Sequence, residues 1–369
     1  MINKIYYVTY QTFPADTANS LQTISNIKYL VKEGFEVHLY FPLREKRSST
    51  NLDDLKTFYE FDEHINVFGL KHNYPHGKLK YFKKLSFHIS HFLWAKKLIS
   101  TYFNEHNDEI FITRSDWVAY FLAKKGYNVT FECHQTSRLR DRILKKITNL
   151  DNLKVIFLNE NLKKHYSYVN KSIILHNAVD TEIFNKNQNS KIKNKVIFVG
   201  NLSRFNKDRG LKNIINWFND KNIKDNFTFE IIGGDENTEK EFNKLILENQ
   251  LSNIVKISKR KGRKETIEAI QQASIGLLIN TPDNLHSFKF TSPLKYFEYL
   301  YAGLAVVAVD FPSHRILPFQ ENIGFFDIDN KESFYQALLK ASKIKNDFQD
   351  GLDLITLKTR AKKIINFVS

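Results

Sequence analysis

Residues 4–41 read KIYYVTYQTFPADTANSLQTISNIKYLVKEGFEVHLYF, and their pattern decides the fold class. Lys4–Tyr10 is rich in β-branched and aromatic residues, as a strand is. Ser20 stands where a helix N-cap is expected, and Leu21, Ile24, Ile27 and Val31 follow at helical spacing. Gly34 ends that helix, and Glu36–Phe41 makes the next strand. A strand, a helix and a strand in about 40 residues form a βαβ unit, whose crossover requires parallel pairing.

Working outward, Ile110–Thr113, Asn128–Glu132 and Val155–Leu158 read as further strands. A polar stretch, Asn185–Asn194, precedes a second series. Its strands are Lys195–Val199 ending at Gly200, Phe227–Ile232 ending at Gly233-Gly234, Val255–Ser258, Ile275–Ile279 and Ala305–Val309. The expected class is α/β, with two doubly wound, Rossmann-like domains over residues 1–184 and 190–345. Residues 346–369 supply a last helix, around Leu352–Val368.

The length of 369 residues suits two such domains. With 42% hydrophobic and 14% aromatic residues, both cores can be filled, which excludes wholesale disorder. The longest apolar run, Tyr299–Val309, falls short of the roughly 18 residues of a membrane span. No basic-apolar-small pattern of a signal peptide opens the sequence, so a soluble cytoplasmic protein is expected. Cys133 is the only cysteine, which excludes an internal disulfide and a cysteine-based zinc cluster. The 55 basic and 40 acidic side chains leave +15, which favours anionic partners: nucleotides, anionic lipid surfaces or nucleic acid. The abundance of Lys, Asn and Ile also matches the bias of an AT-rich genome. Lys78–Ile99, KLKYFKKLSFHISHFLWAKKLI, has two readings: a core-packed surface helix, or a helix on an anionic membrane surface.

Thr291–Gly303, TSPLKYFEYLYAG, carries the most chemistry. Ser292 can cap a helix and Pro293 fits its first turn. Such a start offers backbone N–H groups and the positive end of the helix dipole, a ready phosphate site. Lys295 adds a full charge, and Glu298, one turn on, suits a ribose because a carboxylate accepts from two hydroxyls. The bland alternative is an ordinary turn with a surface Lys–Glu pair.

SPLKYFEYLYAG resembles the donor-site signature of family 4 glycosyltransferases of GT-B architecture, two Rossmann-like domains around a central cleft. Five other segments agree in order. Asn19–Tyr40 resembles the first loop and helix of such enzymes, and TFECH (Thr130–His134) the strand ending in an active-site histidine. ILHNAVDTEIF (Ile174–Phe184) is similar to the segment closing the first domain. VIFVGNLSRFNKDRG (Val196–Gly210) is similar to the strand and loop carrying the diphosphate-binding bases, and FEIIGGDEN (Phe229–Asn237) to the next strand.

The resemblance implies roles position by position. Glu298 matches the second Glu of the E-x7-E motif, which holds the donor ribose, whereas Phe290 stands where the first would be. Ser292, Pro293 and Leu294 form the segment whose N–H groups, that of Pro293 excepted, meet the sugar or phosphates. Gly200 ends the donor-side strand, Arg209 matches the basic residue before a glycine, and Lys295 adds a further cation. Asn201 replaces the usual second base, and Arg204 or Lys207 is the substitute. His134 contacts the donor sugar or its phosphate, and Asn19 the transferred sugar; His134, Arg209 and Lys295 form the expected catalytic set. The implied reaction moves a hexose-type sugar from a nucleoside diphosphate to a hydroxyl of a glycan or lipid-linked acceptor, with retained configuration. No carboxylate presents itself as a nucleophile, which favours front-face displacement. Fixed cations and N–H dipoles stabilise the leaving diphosphate, so neither metal nor cofactor is expected. Asp327 and Asp329 spell a D-x-D, yet they fall where the resemblance implies a plain strand and turn. The acceptor is expected on the first domain, an anionic membrane surface is a further expected partner, and nucleic acid is not. Two rivals are a GT-B nucleotide-sugar epimerase and a non-enzymatic basic nucleic-acid-binding protein. The second draws on the cluster Arg138–Lys146, which matches no RNA-binding motif.

Overall fold

The computed structural model describes residues 4–76, 82–103, 109–184, 191–204, 207–344 and 351–368, with the side chains of residues 203, 204, 207 and 208 outside that description. The chain forms two compact units, Met1–His176 with Leu357–Ser369, and Asn177–Thr356.

Among the described residues, unit one holds a seven-stranded sheet. Its strands are β1 (Lys4–Val8), β2 (Glu36–Leu43), β3 (Asn66–Lys71), β4 (Ile110–Thr113), β5 (Asn128–Cys133), β6 (Leu153–Phe157) and β7 (Ser172–Ile174). They lie in the order β3-β2-β1-β4-β5-β6-β7, every pair parallel. The inner strands are almost wholly buried, as a sheet covered by crossover helices on both faces must be. β3 and β7 do not stand out in the sequence. They are edge strands, and five of the six β3 residues keep solvent contact, so no apolar run marks them.

The first helix runs Ala18–Lys32, and its cap is Thr17 rather than Ser20. Thr17 has the extended backbone of a cap and its hydroxyl accepts the N–H of Ser20 at 3.1 Å. Ser20 is therefore inside the first turn, its own hydroxyl 2.7 Å from that of Thr17. Within the Lys-aromatic stretch, residues 78–81 lie outside the described residues and the helix is Lys83–Tyr102. It buries Ser86, Ser90, His91, Trp94, Ala95 and Leu98, and exposes Phe82, Leu85, Ile89 and Leu93.

Unit two has β8 (Lys195–Val199), a hairpin of β9 (Ser203–Arg204) and β10 (Lys207–Asp208), then β11 (Thr228–Ile232), β12 (Val255–Ser258), β13 (Ile275–Leu278), β14 (Ala305–Val309) and β15 (Ile323–Phe326). Its main sheet is parallel in the order β12-β11-β8-β13-β14-β15. The polar stretch before it falls at residues 185–190 outside the described residues. Numbered within each unit, both sheets begin 3-2-1-4, the Rossmann order. In such sheets the crossovers reverse direction between strands 1 and 4. The carboxyl ends of those strands form the ligand crevice. For unit two that point lies between β8 and β13; for unit one, between β1 and β4.

Candidate functional site

In unit two the chain leaves β8 at Gly200, whose φ of +132° is disfavoured for any residue with a Cβ. The backbone there runs against the neighbouring strand end: a Cβ on Gly233 would lie 1.9 Å from the Gly200 carbonyl oxygen. A Cβ on Gly200 would lie 3.1 Å from Lys295 Nζ. Lys295 reaches this point from the first turn of the helix Leu294–Tyr301, its ammonium 4.1 Å from the ring centroid of Phe198 on β8. The sheet switch point, a side-chain-free turn and a cation over an aromatic face thus coincide.

That helix is pinned beneath the strand. The Tyr299 hydroxyl accepts the N–H of Val199 at 3.1 Å, and the Tyr296 hydroxyl donates to the Pro318 carbonyl. Its N-cap position is Pro293, with no side-chain cap, which corrects the expectation for Ser292. The Ser292 hydroxyl instead accepts the N–H of Asn177 at 3.1 Å, and the Asn177 amide donates to the Ser292 carbonyl. Two segments far apart in sequence, HNAVD and TSPLK, are joined in this way, and the Ser292 oxygen is held away from the helix start. By helix geometry, the N–H groups of Leu294 and Lys295 have no intrahelical carbonyls to meet, whereas that of Tyr296 donates to the Pro293 carbonyl at 3.1 Å.

Glu298 is buried one turn further on and forms an ion pair with Arg263, from the first turn of the helix Arg263–Gln272. Phe290, where the resemblance places the first Glu, is buried at the end of a π-helical turn, His286–Phe290. Arg209 is half-buried and precedes Gly210, which has φ +89° and caps the helix Leu211–Trp217. Arg204 and Lys207 are opposite each other in the β9–β10 hairpin, and their side chains lie outside the described ones.

In unit one, His134 follows β5, and its Nε2 lies 3.6 Å from Glu132 Oε2. Glu132 is buried among partners: Arg114 Nε donates at 2.8 Å, Arg360 Nη2 at 2.7 Å and the Tyr7 hydroxyl at 3.2 Å. Burial pushes its carboxyl pKa up, but Arg360 and Arg114 hold it well below the ordinary value. Burial, aided by Arg114, pulls His134 down to about 3, so its imidazole is neutral. Asn19 accepts from Arg114 Nη1. Arg360 also donates to Asn26 Oδ1 and to the His176 carbonyl, both at 3.1 Å.

Three arginines complete these groups without having drawn notice in the sequence. Arg114 directly follows β4, and its place at a strand end beside the switch point was the available signal. Arg263 is an ordinary-looking helix residue, and Arg360 meets Glu132 across 228 positions. Asp327 and Asp329 occupy the turn after β15, where the Asp327 N–H donates to Ser333 Oγ. Among the described residues no group of three His, Cys, Asp or Glu side chains is placed to hold a metal ion. In the basic cluster Arg138–Lys146, Arg140 is buried against Asp116 at 2.6 Å, and Arg138, Arg142, Lys145 and Lys146 face solvent. Among the described residues, no helix is long and apolar enough to cross a membrane.

The architecture has well-defined counterparts. Sucrose-phosphate synthase from Thermosynechococcus elongatus superposes with a TM-score of 0.71 at 12% identity, over 99% of this chain and 98% of that one. HepE from Anabaena in complex with UDP gives 0.67 at 12% identity, over 98% of each chain; the same protein is also known in complex with UDP-glucose. The apo lipopolysaccharide outer core galactosyltransferase WaaB gives 0.66 at 13% identity, over 99% of each. The protein therefore has the two-unit Rossmann-like fold of the GT-B glycosyltransferases. Residues 179–346, nearly all of unit two, match the family model for glycosyl transferases group 1, and the protein is a glycosyltransferase enzyme. No curated protein matches the sequence.

Proposed function

We propose that the enzyme belongs to the retaining, family 4 type and moves a hexose-type sugar from a nucleoside diphosphate to a hydroxyl of a glycan or lipid-linked acceptor. The observation that carries the reading is Lys295 at the β8 turn, with its ammonium beside Gly200 and above Phe198. A glycine turn, a lysine and a helix start suit a diphosphate, which needs close backbone approach and positive charge. Arg209 shares the loop after β8, and Glu298, oriented by Arg263, accepts the ribose hydroxyls. Unit one takes the acceptor, and neutral His134 offers a ring N–H to a sugar or phosphate oxygen. The acceptor oxygen bonds to the anomeric carbon as the bond to phosphate breaks, and the acceptor proton passes to the leaving phosphate on the same face. No metal takes part, because fixed cations neutralise the leaving group.

A second observation bears on where the enzyme works. Phe82, Leu85, Ile89 and Leu93 form an exposed stripe at helical spacing, with Phe82 66% and Leu85 58% exposed, beside exposed Lys83 and Lys84. An apolar stripe flanked by lysines suits the headgroup region of an anionic membrane. We place the enzyme in the cytoplasm, at such a surface. Flotation with anionic liposomes at low salt is expected to carry the wild type and to leave a Leu85→Asp, Leu93→Asp variant behind.

The test of the main reading is a thermal-shift panel of UDP-, GDP- and ADP-sugars, followed by turnover in excess EDTA. One nucleotide class is expected to raise the melting temperature, and turnover to persist with the chelator. Epimerised nucleotide sugar without acceptor would point to an epimerase. Salt-dependent RNA binding without nucleotide-sugar affinity would overturn the enzyme's proposed donor class.

A further inference from the structure

The carboxyl ends of β1, β2 and β3 hold a cluster that the donor reading does not use. Tyr10 lies two residues beyond β1, Arg44 directly follows β2 and His72 directly follows β3. Tyr10 is the hub. Its hydroxyl meets His72 Nε2 at 2.7 Å. From the helix Lys83–Tyr102, the His91 ring stacks on the Tyr10 ring with centroids 4.4 Å apart, and Trp94 flanks it at 5.4 Å. The Arg44 guanidinium lies 5.2 Å from the same centroid, and His76 6.3 Å.

Four nitrogens around this ring are buried with no hydrogen-bond partner among the described residues: Arg44 Nη1, His76 Nδ1, His91 Nε2 and Trp94 Nε1. An unpaired buried polar atom is costly, and native proteins hold few. Arginine and the indole can only donate. Burial, with Arg44 adding to it, lowers the pKa of His76 and pulls His91 down to about 3. Both rings are therefore neutral at neutral pH, and each can donate one N–H.

Arg44 brings the charge. Its acidic neighbour Glu45 stands 3.9 Å from Nη2, is 44% exposed, and is shared with Arg47 at 3.6 Å and the Thr12 hydroxyl at 3.1 Å. Nη1 stays without an oxygen. A set of donors around one permanent cation matches a ligand that brings anionic acceptor oxygens. Phe87, 36% exposed, leans on the Tyr10 and His76 rings at 5.5 and 5.2 Å and offers an apolar face beside these donors. An apolar face next to a few polar groups suits a sugar ring that carries an acid.

We propose that Arg44, with His76, His91 and Trp94 around Tyr10, forms a subsite in unit one for an acidic saccharide unit, taking its carboxylate or phosphate group on the guanidinium and its ring on Phe87. The subsite rests on the glycosyl-transfer reading only in that the saccharide then belongs to the acceptor.

The test uses the full chain, isotope-labelled, with the indole N–H resonance of Trp94 as readout, assigned by its loss in Trp94→Phe. Glucuronate and glucose-6-phosphate are the probes and methyl glucoside the neutral control, at matched ionic strength, with and without UDP. A saturable shift with at least one acidic sugar is expected, whether or not UDP is present. The probe with the lower half-saturation tells a carboxylate ligand from a phosphate one, and methyl glucoside should need about tenfold more or beyond. In Arg44→Gln the acidic sugar should weaken about tenfold, to the level of the neutral one, and Arg44→Lys should recover part of that loss. A Trp94 resonance that neither acidic sugar moves in the folded wild type overturns the proposal, whether or not the variants fold. So does equal half-saturation by methyl glucoside, or an unchanged value in folded Arg44→Gln. A shift that UDP abolishes would give the subsite to the donor and overturn its acceptor role. Failure of every nucleotide sugar to bind would overturn the donor reading alone, because the sugar titration needs no nucleotide.

Discussion

The two units share a strand order but complete the carboxyl end of the sheet with different chemistry. Unit two ends β8 with a glycine whose missing side chain leaves room beside Lys295. Unit one ends β5 with a buried carboxylate held between two arginines. The first arrangement adds little to stability, because a lysine over an aromatic ring contributes about 0.5–2 kcal/mol. The second is tied into the fold, since removal of one member strands the others in a low-dielectric interior. Where a site is made of absence, substitution should reach function first. Where it is made of paired charge, substitution should reach folding first.

That contrast can be broken most directly at Glu132. Glu132→Ala leaves Arg114 and Arg360 facing each other without their carboxylate, and should lower unfolding free energy by about 3–5 kcal/mol. Urea denaturation checks it, and a near-neutral result would show that the cluster is solvated. Lys295→Ala and Arg209→Ala should behave oppositely, with a melting temperature near that of wild type and turnover lower by about 10²–10³-fold. Full activity in Arg209→Ala would move its role to Arg204 or Lys207.

Glu298→Gln should weaken donor binding by about 1.5–3 kcal/mol in isothermal titration, with the fold intact. Acidification should separate the units further. Unit one holds His91 and His134 with pKa values pulled to about 3 by burial, and unit two holds His314 at about 4 for the same reason. Below about pH 6.5 the unfolded chain binds protons that these folded histidines refuse. Each therefore lowers stability as pH falls, by up to about 1.4 kcal/mol per pH unit, until its folded pKa is reached. The stabilising charge of Glu132 disappears later, as pH falls through its depressed pKa. Hydrogen exchange at pH 7 and pH 4.5 should show unit one losing more protection than unit two. The smallest effect is expected at Arg263→Ala. Its guanidinium is partly exposed, so the pair with Glu298 should contribute no more than about 1 kcal/mol to stability. Donor affinity should fall modestly as Glu298 loses its orientation.

Much of the fold was legible because parallel strands write themselves as short apolar runs. Lys195–Val199, Val255–Ser258 and Ala305–Val309 were read with the ends the structure has. Edge strands β3 and β7 escaped because an edge need not be apolar. At the candidate site, Lys295 was legible from its place in the first turn of a helix. The cap at Ser292 was misread, because a serine before a proline looks like a cap until a distant asparagine claims its hydroxyl. Arg263 and Arg360 were illegible for the same reason: their partners are set by the tertiary fold, 35 and 228 positions away.

The contact between Arg360 and Glu132 also orders events during synthesis. Unit one is discontinuous: the whole of residues 177–356 is made between its sheet and the helix that completes it. While unit two is being translated, Glu132 has only Arg114 for an ionic partner, and Asn26 and the His176 carbonyl still lack Arg360. Domains generally fold as they emerge from the ribosome, so unit two can reach its native form before unit one can. A nascent chain stalled anywhere in the second unit therefore carries an unfinished first one, open to chaperones and proteases. The pairing of Arg360 with Glu132 is therefore made only after the whole of unit two has been synthesised.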